Sequence, residues 1–479
     1  MPKRLCIQTV GCQMNQLDSE LVAASLRKRG FELVDDPQEA EVILLNTCSV
    51  REHAEEKVYS LLGQLKHLKR MRPRTVMGVL GCMAQREQRR IFERAPHVDL
   101  IVGPGQLRQV ADLVELVQAG GGRQEALSRS RQDGSLAEIK RSHEPLDALR
   151  DPAMRPTPFQ AYLRIQIGCD KFCTYCVVPM TRGPEQCRPP GQILEEARTL
   201  ADQGCKEITL LGQTVNSYRY HEGAKTTRLQ DLLYALHRIE GIQRIKFVTN
   251  HPRDMTRDLL QAMRDLPHVA PYLHVPAQSG SNRILQRMRR GYTAEWYREM
   301  LALIREMLPH AAVSSDFLVG FCGETDDDFE QTRQLVRDAR FKNSFIFKYS
   351  ERPGTRGAER YPDDVPYRVK QRRNNELLAL QDAISDEDNR RLVGRTFPVL
   401  VEGPSRRALQ SSGGSGPLLQ MTGRTPCDRI VVFDGSVQDT GRILPITIRA
   451  ASGHTLFGST PADGGGPHVA ASRARARLS

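Results

Sequence analysis

The sequence predicts an α/β protein in three parts: an N-terminal parallel α/β domain over residues 1–118, a central partial (β/α)6 barrel over 158–390, and a small C-terminal antiparallel β-barrel over 391–457. Three observations predict it. The chain has 479 residues, more than a single hydrophobic core organises, so several domains are expected. Up to about residue 390, short apolar runs alternate with amphipathic stretches, the pattern of parallel β/α units. Beyond Leu392 the runs follow one another with turn residues and no helix between them.

In the first part the runs RLCIQTV, EVILLNT, RTVMGVLG and VDLIVG are separated by helical stretches such as QLDSELVAASLRKRG and QREQRRIFERA. Residues 119–157, which open on Gly120, Gly121 and Gly122 and lead through Pro152 and Pro156 to Pro158, lack an apolar period and are expected to be a linker. Six strand-like runs follow, AYLRIQIG, EITLLGQ, RIKFVTN, PYLHVPA, AVSSDFLVG and SFIFKYS, two short of a complete eight-unit barrel. The last part holds TFPVLVEG, LLQMTGRT, RIVVFDG and ILPITIR, interrupted by a flexible SSGGSG loop, and residues 458–479 are expected to be a disordered tail. No solenoid-type repeat is present.

Lys and Arg number 69 against 57 Asp and Glu, a formal charge of +12 that favours a polyanionic partner such as nucleic acid. The start MPKRLCIQTVGC has no apolar signal-peptide core, and no run reaches the ~18 apolar residues of a membrane helix. A cytoplasmic protein without membrane contact is expected. Eleven cysteines in such a chain point to metal or redox chemistry rather than disulfides.

Cys169, Cys173 and Cys176 stand in GCDKFCTYC, on the loop after the first barrel run. Iron–sulfur clusters normally take four thiolates, so three leave one iron open to a ligand. The CxxxCxxC spacing suits radical enzymes that use S-adenosylmethionine, and barrels of this kind carry their sites at the carboxyl ends of the strands. A zinc site completed by Cys187 is the bland alternative. Phe172 and Tyr175 would shield the cluster, and Tyr175 would help position the cofactor's adenosine. Cys12, Cys48 and Cys82 are distant in sequence, yet each follows a parallel-strand run, and in an open α/β sheet such loop tips converge. They would hold a second cluster with an open iron, although scattered cysteines are often only small buried hydrophobes, as Cys6 and Cys205 are expected to be.

GCQMNQLDSE, LNTCSVRE, GCMAQ and GCDKFCTYCVVPMTRG, with LLGQTVNSY, VPAQSGSNRILQRMRRGYT, DFLVGFCGET and YSERPGT, together resemble the methylthiotransferase family of radical S-adenosylmethionine enzymes. The likeness covers nearly the whole chain, and LVGRTFPVLVEG and MTGRT make its end similar to an RNA-binding TRAM domain. Within the family the stretch around Cys12 is most like the branch that makes 2-methylthio-N(6)-dimethylallyladenosine at position 37 of tRNA. Sister branches modify a ribosomal-protein aspartate or threonylcarbamoyladenosine, and both remain open at this point. So does a non-catalytic iron–sulfur electron carrier or RNA-binding protein, though a carrier normally saturates its irons.

The resemblance implies two [4Fe-4S] clusters, S-adenosylmethionine cleaved reductively to a 5′-deoxyadenosyl radical on the Cys169 trio, and an auxiliary cluster on the Cys12 trio. It implies a monomer acting on the tRNA anticodon stem-loop with a reducing electron donor and a sulfur donor. Gln213, Asn216, Gln278, Ser279 and Asp316, at barrel strand ends, are candidate cofactor contacts, and His251 either faces the cavity or is structural. Arg395, Arg406, Arg407, Arg424 and Arg429 are candidate RNA phosphate contacts, and the basic run KHLKRMRPR from Lys66 to Arg74 either extends that footprint or is a solvated face. Asp18 and Glu20 read as acids near a helix N-terminus that complement its dipole. Met180 stands where an aromatic residue is usual and Cys322 where proline is. Cys322, Cys187 and Cys427 are taken as bystanders.

Overall fold

The computed structural model describes residues 2–49, 52–128, 152, 155, 157–410 and 419–461, and it falls into two compact units, 1–381 and 382–479. Residues 129–151 of the expected linker, the SSGGSG loop and residues 462–479 of the expected tail lie outside the described residues.

The first unit opens with a wholly parallel six-stranded sheet, β1 (Lys3–Val10), β2 (Phe31–Leu33), β3 (Val42–Thr47), β4 (Val76–Gly81), β5 (Leu100–Val102) and β6 (Gln124–Ala126), in the order β2-β1-β3-β4-β5-β6. Every residue of β3 and β4 is buried, as expected of strands covered on both faces. Alternate side chains divide the core. Ile43, Leu45, Met77 and Val79 pack under helix α2 (Glu52–Met71), which contributes Val58, Leu62, Leu65 and Leu68. Leu5, Val42, Leu44 and Leu80 pack under α1 (Gln13–Arg27) and the helix Val110–Gln118. Each such aliphatic side chain contributes about 1.5–3 kcal/mol by leaving water.

Two strands of this sheet were not expected. β2 and β6 are three-residue strands at the two edges of the sheet, with mostly exposed or half-exposed side chains, too short to show a period. β6 lies inside the stretch assigned to a linker and pairs with β5 from Leu100↔Gln124 to Val102↔Ala126.

The six barrel runs all form strands: β7 (Gln160–Arg164), β10 (Glu207–Leu211) and β13 (Arg244–Phe247) in one parallel group, β14 (Tyr272–His274), β15 (Ala312–Val319) and β16 (Ser344–Lys348) in the other. A parallel bridge from Ile245 to Val269 joins the groups into a partial (β/α)6 barrel. Two-residue strands β8 (Gln166–Ile167) and β9 (Gln186–Cys187) pair beside the loop that carries the close-set cysteines, and β11 (Arg219–Glu222) with β12 (Lys225–Arg228) makes a hairpin.

The second unit begins within the helix Tyr367–Arg390, earlier than the expected boundary at 390. Its closed barrel has five strands, β17 (Thr396–Pro404), β18 (Leu419–Arg424), β19 (Ile430–Gly435), β20 (Ile443–Ser452) and β21 (Thr455–Ser459), in the order β17-β18-β19-β21-β20. Val399, Val401, Met421, Val431, Phe433, Ile446, Ile448 and Leu456 fill it. The expectation of an antiparallel barrel holds for every pair but β19 with β21, which is parallel and closes the ring. β21 runs to Ser459, two residues past the expected end, because closure needs its backbone groups on both sides.

Candidate active site

The Cys12 trio converges because of register. β1, β3 and β4 are neighbours, and Val10, Thr47 and Gly81 stand level across them. Cys12 follows two residues after the first, and Cys48 and Cys82 one residue after the others, so strands about 4.8 Å apart deliver three thiols to the carboxyl end of the sheet. A reciprocal amide pair locks that end: Asn15 donates to Asn46 Oδ1 (3.0 Å) and to the Thr47 carbonyl (3.0 Å), and Asn46 donates to the Asn15 carbonyl (2.8 Å) and Ser19 Oγ (2.9 Å). Gly81 has φ +91°, and a Cβ there would lie 2.5 Å from Asn46 Oδ1, so the approach to Cys82 needs glycine. A hydrogen bond with Cys48, then the charge of Arg182, holds the Cys12 thiol down to about 6, while burial pushes Cys82 up against the same guanidinium.

The other trio sits on one loop, pinned on several sides. The Cys169 N–H donates to the Gly183 carbonyl (3.2 Å), Thr174 Oγ1 to the Arg287 carbonyl (2.9 Å), and Gly357 N–H to the Thr174 carbonyl (2.7 Å). Gly168, at φ +77°, meets the Pro184 carbonyl so closely that no Cβ fits. Phe172, Thr249 and Gln278 also have positive φ, a strain of about 1–3 kcal/mol each, and all three lie just beyond the carboxyl ends of barrel strands. Arg290 Nη1 donates to Cys173 Sγ (3.2 Å) and Tyr175 Oη (3.4 Å), and its Nη2 to the Pro276 carbonyl (3.0 Å). Burial pushes Cys169 up to about 11 and Cys176 up to about 12. Free thiolates are thus unfavourable there, and binding to a cationic iron centre is what would deprotonate them.

Both trios fit iron–sulfur ligation on these grounds: thiols gathered at a rigid sheet end or loop, each beside a buried guanidinium. Among the described residues no three His, Cys, Asp or Glu side chains are placed to hold a single metal ion, whereas a four-iron cube takes each thiolate on a different iron. Cys187, the proposed fourth zinc ligand, instead accepts from the Arg219 N–H (3.4 Å) on the short β8–β9 ladder.

A cavity of about 640 Å³ opens between the two halves of the first unit. Gly11 and Ser49, each beside a cysteine of the first trio, line it together with Tyr175 and Cys176 from the second, and Gln278 and Asp316 from the barrel. Asp316 accepts from His274 Nε2 (2.9 Å). Asn216 lines a separate cavity of about 420 Å³. Its amide pairs with the His251 backbone, donating to the carbonyl (2.9 Å) and accepting from the N–H (2.8 Å). Gln213 Oε1 is buried without a partner among the described residues. Ser279 is buried, and its hydroxyl bonds with Thr332 (3.3 Å) and accepts from the Ser281 N–H (3.1 Å). His251 is buried with neither ring nitrogen partnered among the described residues, and burial followed by Arg290, Lys171 and Arg253 pulls it down to about 2, so the ring is neutral.

One expectation is corrected. Asp18 and Glu20 are not in the first turn of α1 and complement no helix dipole; both are buried. Asp18 accepts from Arg182 Nη2 at 2.8 Å and lies 3.6 Å from Arg164 Nη1, tying the sheet domain to the barrel. Glu55 does the same, pairing with Arg86 (2.6 Å) and with Arg352 of the ERPGT stretch (3.3 Å). Arg182, Arg290 and Arg352 were missed as site residues although all three stand in the motifs TRG, RRGYT and ERPGT. The motifs gave no sign of what they would face.

Cys6 and Cys205 are buried, as expected, and Cys322 packs with Phe321 and Tyr349. Met180 lies against Gly354, with a Cβ there 3.2 Å from its sulfur. Lys66–Arg74 belongs to the end of α2 and the turn before β4, at the opposite end of the sheet from the cysteines. Lys69 within it pairs with Asp99 (2.6 Å). In the second unit Arg395, Arg406 and Arg407 are exposed, whereas Arg424 pairs with Glu402 (3.1 Å) and Asp428 (3.4 Å), and Arg429 donates to Asn389. No helix among the described residues is long and apolar enough to cross a membrane.

A partial β/α barrel with three thiols on the loop after its first strand defines a radical S-adenosylmethionine enzyme, and the model of the Radical SAM superfamily matches residues 163–336. The model described as Uncharacterized protein family UPF0004 matches residues 4–103. The radical S-adenosylmethionine methyltransferase TsrM from Kitasatospora setae, solved with cobalamin and a [4Fe-4S] cluster bound, shares the fold at 12% identity and TM-score 0.55, over 75% of this chain and 74% of that one. Proteins named tRNA-2-methylthio-N(6)-dimethylallyladenosine synthase are similar over nearly the full length: that of Rhodopirellula baltica is 60% identical over 96% of this chain and 95% of its own, and that of Bordetella bronchiseptica 43% over 95% and 92%. The chain belongs to the family of tRNA-2-methylthio-N(6)-dimethylallyladenosine synthases, enzymes of the radical S-adenosylmethionine superfamily.

Proposed function

We propose that the chain replaces the C2 hydrogen of N(6)-(dimethylallyl)adenosine at position 37 of tRNA, beside the anticodon, with a methylthio group. On this reading Cys169, Cys173 and Cys176 hold the cluster that binds S-adenosylmethionine, and Cys12, Cys48 and Cys82 hold a second four-iron cluster. The observation that carries it is the shared cavity, with Cys176 on one wall and the neighbours of Cys12 and Cys48 on the other. The name shared by the relatives supports this branch over the sister branches.

An aromatic C–H bond has no acidic proton for a general base to take, and the clusters with S-adenosylmethionine supply the radical and sulfur chemistry that such a bond requires. The chain's own residues hold, orient and enclose. Arg290 fixes Cys173 and Tyr175 in one arrangement, and Tyr175 presents an aromatic wall to the cofactor's adenosine. Leu318, Ile346 and Phe347 give the cavity an apolar side suited to a dimethylallyl group, and Lys57 and Lys348 add positive charge to its lining for a polyanion. Arg395, Arg406 and Arg407 add exposed charge for RNA in the second unit. A monomer in the cytoplasm, supplied with electrons and sulfur by other donors, completes the reading.

The test is direct. Anaerobically reconstituted protein, carrying about eight irons, is incubated with S-adenosylmethionine, dithionite and isopentenylated tRNA. Appearance of 5′-deoxyadenosine together with 2-methylthio-N(6)-dimethylallyladenosine among the nucleosides is expected. 5′-Deoxyadenosine with no thiolated nucleoside would refute the substrate.

A further inference from the structure

Arg182 is a barrel residue whose side chain ends in the other domain. It follows the short helix Val178–Thr181, its N–H donating to the Val178 carbonyl (2.8 Å), and its guanidinium is 3% exposed. Nη2 is fixed by Asp18, which Arg164 also approaches, so two guanidinium groups converge on one carboxylate. Nη1 is buried and has no hydrogen-bond acceptor among the described residues. The thiols of Cys82, which burial keeps protonated, and of Cys12 also stand beside this guanidinium. A buried N–H donor without an acceptor costs about 1–3 kcal/mol, more when charged, and a sulfur acceptor at the cysteines would remove that cost.

Resting on the assignment of Cys12, Cys48 and Cys82 as cluster ligands, we propose that Arg182 is a positioning residue of the auxiliary cluster, donating from Nη1 to its sulfur and fixing its charge from the barrel side. Cluster potentials respond to nearby charge and to hydrogen bonds on sulfur. A fixed cation favours the reduced, more negative state and raises the potential. Because Arg182 lies six residues beyond Cys176 on the same stretch of chain, the residue that tunes one cluster is carried by the segment that holds the other.

The experiment uses the full-length C169A/C173A/C176A protein, in which the auxiliary cluster is seen alone, with iron content, electron paramagnetic resonance and midpoint potential as readouts. R182Q should lower the potential enough to change the reduced-to-oxidised ratio about tenfold at fixed applied potential, about 59 mV for a one-electron couple. R182K, which restores the charge, should recover at least half of the shift. D18N removes the neighbouring negative charge and should move the potential upward. A folded R182Q protein that keeps its iron at the parent potential overturns the proposal, as does a folded, iron-free R182Q whose iron uptake R182K does not restore. Should R182Q fail to fold by circular dichroism, D18N decides: an upward shift supports the proposal, and no shift or a downward one overturns it. Failure of the underlying reading looks different. In that case adding C12A, C48A and C82A to the parent would leave its iron in place.

Discussion

Cys169, Cys173 and Cys176 lie within eight residues of one loop, whereas Cys12, Cys48 and Cys82 are spread over seventy-one residues and meet only because three neighbouring strands end level. The first trio is held by a loop whose backbone is pinned on several sides, with strain at Phe172; the second is held by the carboxyl end of a sheet and the Asn15–Asn46 pair. Each has one buried arginine, yet Arg290 comes from the same barrel as its cysteines and Arg182 crosses from the other domain. A local site tolerates loss of a distant contact. A site assembled from separate strands and a foreign arginine depends on the domain interface.

The largest effect should separate the two chemically. C173A should abolish 5′-deoxyadenosine formation, whereas C48A should leave it at a comparable rate while no methylthio nucleoside forms; iron content should fall by about half in each. Loss of 5′-deoxyadenosine in C48A would break the proposed division of labour. Next comes the interface. D18A leaves Arg182 buried without its carboxylate and should destabilise the first unit by about 3–5 kcal/mol in denaturant titration, with the auxiliary iron lost first.

G81A forces a side chain into a positive-φ position against Asn46 and should cost at least about 1–3 kcal/mol, read as a lower melting temperature and weaker iron retention at the auxiliary site alone. Y175A removes an aromatic wall worth about 0.5–1.5 kcal/mol, so S-adenosylmethionine affinity should fall roughly two- to thirteenfold. Unchanged affinity would remove that role. Near neutral pH the smallest effect comes from protonation. His251 is held down to about 2 in the folded state, against an ordinary value near 6.5, so the unfolded chain takes up its proton first. Stability should therefore fall as pH drops below about 6.5, by up to about 1.4 kcal/mol per pH unit from this residue, and H251Q should flatten that limb.

Local signals carried most of the fold. The six barrel runs and β1, β3, β4 and β5 of the first sheet each bury apolar side chains that show as runs in the chain, whereas β2 and β6 are mostly exposed three-residue edges that show none. Arg424 and Arg429 show the same limit from the polar side, for nothing in MTGRT or CDRI distinguishes an arginine free to meet phosphate from one paired with Glu402 or Asn389.

By itself the sequence determined the β/α succession, the close-set thiols and the family, since these rest on spacing along the chain and spacing is local. Only the tertiary structure decided that β1, β3 and β4 are adjacent and level, that Asp18 is an interface anchor rather than a helix-dipole acid, and that the buried guanidinium of Arg182 stands in the neighbourhood of Cys12 and Cys82. Those facts depend on strand order and domain packing, which bring together residues from tens to more than a hundred positions apart and leave no periodic trace in the chain.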